Sequence, residues 1–125
     1  MAARDSGPTP PDRLRALLTA MFAAKRTKAR DDPELFATFR ALAAEHSAVS
    51  SAHVAFVLAQ IRAIVIQGIA SGDFTADPPE ATAQAILNAT SRFLDPVHAA
   101  EWRSRTVEAE SEDVISLILN GIRTR

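Results

Sequence analysis

Residues 51–72, SAHVAFVLAQIRAIVIQGIASG, decide the fold. At about 100° per residue, a helix through this stretch aligns Val54, Leu58, Ile61, Val65 and Ile69 in one stripe. Phe56, Val57, Ile64 and Ile66 fall outside that stripe, so apolar groups point in nearly every direction. Between Val54 and Ala70 the large polar residues are Gln60, Arg62 and Gln67 alone. A helix apolar all round is either a membrane span or the buried centre of a bundle. Two glutamines and an arginine within about 17 residues argue against a span, which takes roughly 20 apolar residues. The stretch therefore reads as a central helix, buried on all sides.

A chain of 125 residues has the length of one domain and can bury a substantial core. With 47% hydrophobic and 23% charged residues, its balance is that of a folded protein rather than a disordered one. The formal net charge of −1 supplies no positive field to recruit nucleic acid. There is no cysteine, which removes disulfides, thiol nucleophiles and thiolate metal sites and fits a cytoplasmic location. The opening MAARDSGPTPPD contains no apolar stretch of signal-peptide type.

Thr9-Pro10-Pro11-Asp12 is a helix start: a threonine cap, proline in the first turn and an acid at the positive dipole end. Residues 1–8 before it read as a tail, and residues 9–125 as a single domain. Leu14, Leu17, Leu18, Met21 and Phe22 then recur at helical spacing, and Lys25 to Arg30 form a solvated basic end. Asp32-Pro33-Glu34 caps a second helix with Leu35, Phe36, Phe39 and Leu42 on its apolar face, fading near His46. Ser50 or Ser51 caps the central helix, and Gly72 closes it in a left-handed conformation. Asp77-Pro78-Pro79-Glu80 starts a fourth, alanine-rich helix reaching about Leu94, where Asp95-Pro96 stops it. A looser segment follows, with Trp102 as a lid or interface residue or an ordinary half-buried one. The last helix spans Arg105 to Ile122. No run alternates as a strand would, so the chain is all-α, with about five main helices in a bundle.

On the last helix Val114, Ile115, Leu117, Ile118, Leu119 and Ile122 spread over an arc of about 200°, twice the stripe that covers one core. One part faces the chain's own core and the remainder needs another cover. Together with the preceding alanine-rich helix, this predicts a four-helix interface with a second copy, through Ile86, Phe93, Val114, Ile115, Ile118, Leu119 and Ile122. The alternative is that residues 1–50 fold over the surplus.

Gln67-Gly68-Ile69-Ala70-Ser71-Gly72-Asp73-Phe74 resembles the Gly-Ile-x-x-Gly-x-Phe-like close of a central helix in tetracycline-repressor-type (TetR-family) regulators. Phe93-Leu94-Asp95-Pro96 resembles that family's Phe-x-x-Pro helix close, and Leu117 to Ile122 its hydrophobic last helix ending in a Gly-Leu pair. The order and spacing of these segments match over most of residues 33–122. The resemblance implies a ligand-sensing, dimer-forming C-terminal domain whose last two helices make the dimer bundle. It also implies a cavity beside the central helix for a small, apolar or amphipathic effector, with Phe22, Phe39, Phe56, Gln60, Ile64, Gln67 and Phe93 as candidate lining. Gln60 and Gln67 lie within about 20° of each other on the helix and either orient such a ligand, bond within the core or face solvent.

One departure from the family concerns DNA. Family members begin with a helix-turn-helix unit, whereas this chain has no glycine between Gly7 and Gly68 to form its turn. The chain thus reads as a fragment or a headless relative that does not itself bind operator DNA. An alternative function is an interaction module that pairs with a full-length regulator through the last two helices. His46, His53 and His98 show no metal-ligand spacing, and no nucleophile–base pair is assembled. No metal, cofactor, membrane or catalytic role is expected. Arg62 either snorkels at the surface, pairs with Glu80 or Asp73, or meets an acidic ligand.

Overall fold

Proline-marked starts and one glycine set the element boundaries. The computed structural model describes residues 8–124 except His46 and Asp77, with Phe39, residues 42–51 and Val97 described by backbone alone. The tail at residues 1–7, the Asp77 helix start and the basic Arg125 therefore lie outside the described residues. Helix α1 runs Pro10–Asp31, α2 Pro33–Glu45, α3 Ser47–Ser71, α4 Pro79–Ala89, α5 Ser91–Leu94 and α6 Val107–Ile122. A 3-10 helix at Pro96–Arg103 joins α5 to α6. The chain is all-α; among the described residues the only extended pairing is a single bridge between Phe74 and Arg123.

The local starts follow from short side chains bonding to nearby backbone. Thr9 Oγ1 accepts the Asp12 N–H at 3.4 Å while Asp12 Oδ2 accepts the Thr9 N–H at 3.3 Å, a reciprocal capping box. Asp32 serves two helices at once. Its N–H donates to the Lys28 carbonyl at 3.0 Å to close α1, and its Oδ1 accepts the Leu35 N–H at 3.3 Å to open α2. Helix α3 begins at Ser47, before the Ser50 or Ser51 cap expected from sequence. The fourth helix is broken at Thr90, where the hydroxyl donates back to the Ile86 carbonyl at 2.9 Å and divides it into α4 and α5.

Gly72 ends α3 with φ +85, the one position with positive φ among the described residues. The chain then doubles back, and the Phe74 N–H donates to the Gly68 carbonyl at 3.0 Å. The Phe74 ring settles on Gly68, where a side chain would collide with it, and is buried there. The same loop receives the C-terminus: the Thr75 N–H donates to the Ile122 carbonyl at 2.7 Å and the Thr124 N–H to the Asp73 carbonyl at 2.9 Å. This short loop thus ties the end of α3 to the end of α6.

Two apolar clusters form the interior. In the first, Leu14 and Leu18 of α1 meet Val57, Ile61 and Val65 of α3, Phe74 of the following loop, Ala83 and Ile86 of α4, and Ile115 and Leu119 of α6. The second gathers Phe22, Phe93, Leu94, Trp102 and Val107. Each fully buried Leu, Ile or Val contributes about 1.5–3 kcal/mol relative to an exposed one.

The central helix departs from its reading as a rod buried all round. Val57, Ile61, Val65 and Gly68 are buried on one face, but Val54, Phe56 and Ile66 are 42%, 62% and 38% exposed. The reason is geometric. Helices α1, α2 and α4 pack against α3, and the stripe centred on Ile61 is the one they bury. By length and composition Ala52–Ser71 could cross a membrane; here its buried stripe packs into a helical bundle as a core helix does.

Candidate functional site

The second cluster is where α1, α5, the 3-10 helix and α6 converge, and its centre is aromatic. Phe22 of α1 meets Phe93 of α5 edge-to-face, with ring centroids 5.4 Å apart. Trp102 stands edge-on to Phe22 at 6.0 Å and to Phe36 of α2 at 5.9 Å. Such edge-to-face pairs add about 0.5–1.5 kcal/mol beyond the area they bury. The Trp102 indole N–H donates to the Arg92 carbonyl at 2.7 Å, which fixes the ring across the turn. Trp102 is 2% exposed, so it is neither a lid nor an interface residue nor half-buried. Its burial depends on Phe22, eighty residues away in sequence, which no local pattern reveals.

Beside these rings lies a small cleft lined by Leu18, Phe22, Thr90, Phe93, Leu94, Ser111 and Ile115, with room for about one water molecule. Its polar groups are hydroxyls whose protons are already committed. Thr90 Oγ1 donates to the Ile86 carbonyl at 2.9 Å, and Ser111 Oγ to the Glu108 carbonyl at 2.8 Å. Toward the cleft they can therefore act as acceptors. The sequence reading did not single out Thr90 or Ser111; a lone hydroxyl residue carries no signal of its tertiary surroundings.

The outer rim of this region is charged and paired. Arg92 bonds Glu101 at 2.9 Å and Glu110 at 2.8 Å, and its guanidinium carbon lies 5.8 Å from the Phe93 ring centroid. Arg26 bonds Glu108 at 3.1 Å and donates to the Trp102 carbonyl at 3.2 Å. His98 Nδ1 contacts Glu101 at 2.9 Å, and the hydrogen bonds from His98 and Arg92 hold the Glu101 carboxyl below the usual carboxylate range. Lys25 Nζ donates to His53 Nε2 at 3.2 Å between α1 and α3. Burial pushes the Lys25 ammonium down from its ordinary range, and burial and then the Lys25 charge push His53 down as well.

The candidate ligand-lining residues do not share one place. Phe22 and Phe93 come together in the aromatic cleft. Phe56 and Gln67 are exposed on α3, whereas Gln60 and Ile64 are half-buried at the edge of its packed face. The Phe39 side chain lies outside the described residues. Arg62 pairs with Glu80, through Nη2 at 2.6 Å and Nε at 3.0 Å to the same Oε1.

The candidate interface residues divide as well. Ile86, Phe93, Ile115 and Leu119 are buried in the chain's own core, and Val114, Ile118 and Ile122 are half-buried. The wide apolar arc of α6 serves two clusters: Ile115, Ile118, Leu119 and Ile122 belong to the first, Val107 and Val114 to the second. Leu117 alone of the set projects outward, 73% exposed. Among the described residues no group of His, Cys, Asp and Glu is arranged to hold a metal.

An all-helical bundle on a long central helix, closed by a glycine–phenylalanine lock and a returning last helix, defines a helical regulatory-type domain. Residues 10–115 match the family described as "Tetracyclin repressor-like, C-terminal domain", and the chain belongs to that family. The family ties it to transcription regulation and is not an enzyme fold. No curated protein and no solved structure matches the chain.

Proposed function

We propose that this chain is the effector-sensing and dimer-forming domain of a tetracycline-repressor-like transcription regulator, working in the cytoplasm. The observation that carries the sensing part is the aromatic cleft. Phe22, Phe93 and Ser111 line it from α1, α5 and α6, so a guest there touches three elements at once, and Trp102 stands behind Phe22. Its walls are apolar, with Thr90 and Ser111 as the acceptors, which suits a small apolar molecule carrying one donor. With room for about one water, the cleft must widen to admit an effector, and widening it moves α1 relative to α5. That displacement is the coupling an effector would exert on a paired copy or on DNA-reading heads. For pairing through α6, Leu117 and the half-buried Val114, Ile118 and Ile122 form the available apolar edge.

The chain contains one tryptophan and no tyrosine, so its emission reports on the aromatic cluster beside the cleft, through the Phe22 ring that Trp102 meets. Titration with a panel of small apolar donors, read by Trp102 emission and by thermal unfolding, tests the reading. A true effector changes the emission saturably and, at a hundredfold excess over Kd, stabilises the fold by about 2.7 kcal/mol. A ligand that raises the unfolding temperature without touching Trp102 emission would move the site elsewhere. Silence by both measures across the panel would count against sensing.

A further inference from the structure

The chain contains two lysines, Lys25 and Lys28, one turn apart on α1, and their surroundings differ. Lys28 is exposed. Lys25 is half-buried where α1 packs on α3, and its Nζ lies 3.2 Å from Nε2 of His53. His53 is itself exposed, so the amine is held against protein on one side and is reached from solvent past the imidazole. Burial is the largest influence on the Lys25 ammonium and pushes it down, Asp95 from the turn after α5 opposes this, and Lys28 on its own helix adds to it.

We propose that Lys25 is a covalent capture site for aldehydes, with His53 as its proton carrier. The site stands apart from the cleft between Phe22 and Phe93 and does not rest on a ligand there. Attack on a carbonyl needs a free electron pair on Nζ, and the later loss of water needs an acid. One imidazole within hydrogen-bond reach of Nζ serves both steps. Its Nε2, unprotonated where it accepts from Lys25, takes a proton from the ammonium. The neutral amine then bonds to the carbonyl carbon, the carbonyl π pair moves to oxygen, and a proton passes from nitrogen to that oxygen. The imidazolium returns its proton to the new hydroxyl, the C–O bond breaks, and water leaves a protonated imine on Lys25. One aldehyde is consumed and one water released, with no oxidant or reductant.

The adduct changes a contact between helices. In the imine, Nζ keeps one hydrogen where the ammonium has three, and it gains a carbon substituent. The Lys25–His53 link between α1 and α3 then has to rearrange. Phe22 lies one turn before Lys25, so the change acts on the helix that forms one wall of the aromatic cleft. Phe56, one turn beyond His53 on α3, is exposed and offers an apolar surface to the tail of the aldehyde.

With two lysines on one helix, the control is internal. The folded chain is incubated with hexanal and sodium cyanoborohydride at neutral pH, and alkylation of each lysine is followed by mass spectrometry with peptide fragmentation. Lys25 should be alkylated several-fold faster than Lys28, and the difference should vanish in urea. His53→Gln leaves Lys25 an acceptor but removes the proton carrier. The position is exposed, so the core is not disturbed, and helicity is measured as a folding control. In this variant the Lys25 rate should fall several-fold while the Lys28 rate holds. Lys28 reacting as fast as Lys25 in the folded chain would overturn the inference, as would an unchanged Lys25 rate in His53→Gln. A preference that persists in urea would trace it to local sequence and overturn it too. None of these results bears on the cleft, which the Trp102 titration tests separately.

Discussion

The Phe74 ring packs against Gly68, its Cγ 2.7 Å from where a Cβ on that glycine would stand. This contact, made across a turn that Gly72 reverses, anchors the loop to which the C-terminus is tied. Both positions belong to the motif by which the sequence resembles its family, and the structure supplies the physical need for each. Gly68→Ala should destabilise the fold by about 1–3 kcal/mol through overpacking. Phe74→Ala should cost roughly 3–5 kcal/mol by leaving a cavity. Because one methyl group fills part of the space the ring vacates, the double variant should cost less than the sum. Urea unfolding of the four proteins measures that coupling; strict additivity would show that ring and glycine do not meet.

Gly72 acts through backbone rather than space, since nothing approaches its missing Cβ. At φ +85 an alanine is strained, and Gly72→Ala should cost about 1 kcal/mol. Denaturant unfolding checks it, and Gly121→Ala is the comparison, helical and equally open but without strain. Equal stability of Gly72→Ala and the parent would mean the turn can be rebuilt at no cost.

Trp102 should emit as a buried indole, and Trp102→Phe should lose about 1–3 kcal/mol because the Arg92 carbonyl loses its donor. Collisional quenching by acrylamide tests the first part and urea unfolding the second. Efficient quenching of the native protein would contradict its place among Phe22, Phe36 and Phe93.

Histidine titration gives a sign as well as a midpoint. His53 Nε2 must be unprotonated to accept from Lys25, and burial and the Lys25 charge lower its pKa below 6.5. The unfolded chain therefore binds the proton more readily, so this contribution to stability is present above pH 6.5 and is lost as pH falls through the lower folded pKa. NMR should place the His53 midpoint below that of an unfolded peptide. Lys25→Met should raise it and flatten the loss of stability between pH 7 and 5. Asp95 and Lys28 also act on Lys25, so both stay unchanged in that comparison.

What could be read from sequence was what nearest neighbours decide. The Thr9 capping box, the Asp32 helix junction, the Gly72 stop and the all-α class each depend on a few adjacent residues. Burial depends on partners, and hydrophobicity does not name them. The apolar face of α3 bearing Phe56 and Ile66 looked like core because it is apolar, yet no described helix covers it. The α6 arc looked like surplus because its width was compared with one cluster, and it borders two. Trp102 joins the site through Phe22 and Phe36, which only the folded chain brings near.

The central claim is that the chain is a dimer-forming regulatory domain that pairs with a second copy of itself. Sedimentation equilibrium of the unaltered chain, from low micromolar to near-millimolar concentration, tests it most directly. The account predicts a mass that rises reversibly from one chain toward at least two as concentration increases. A single-chain mass across the whole range would contradict it.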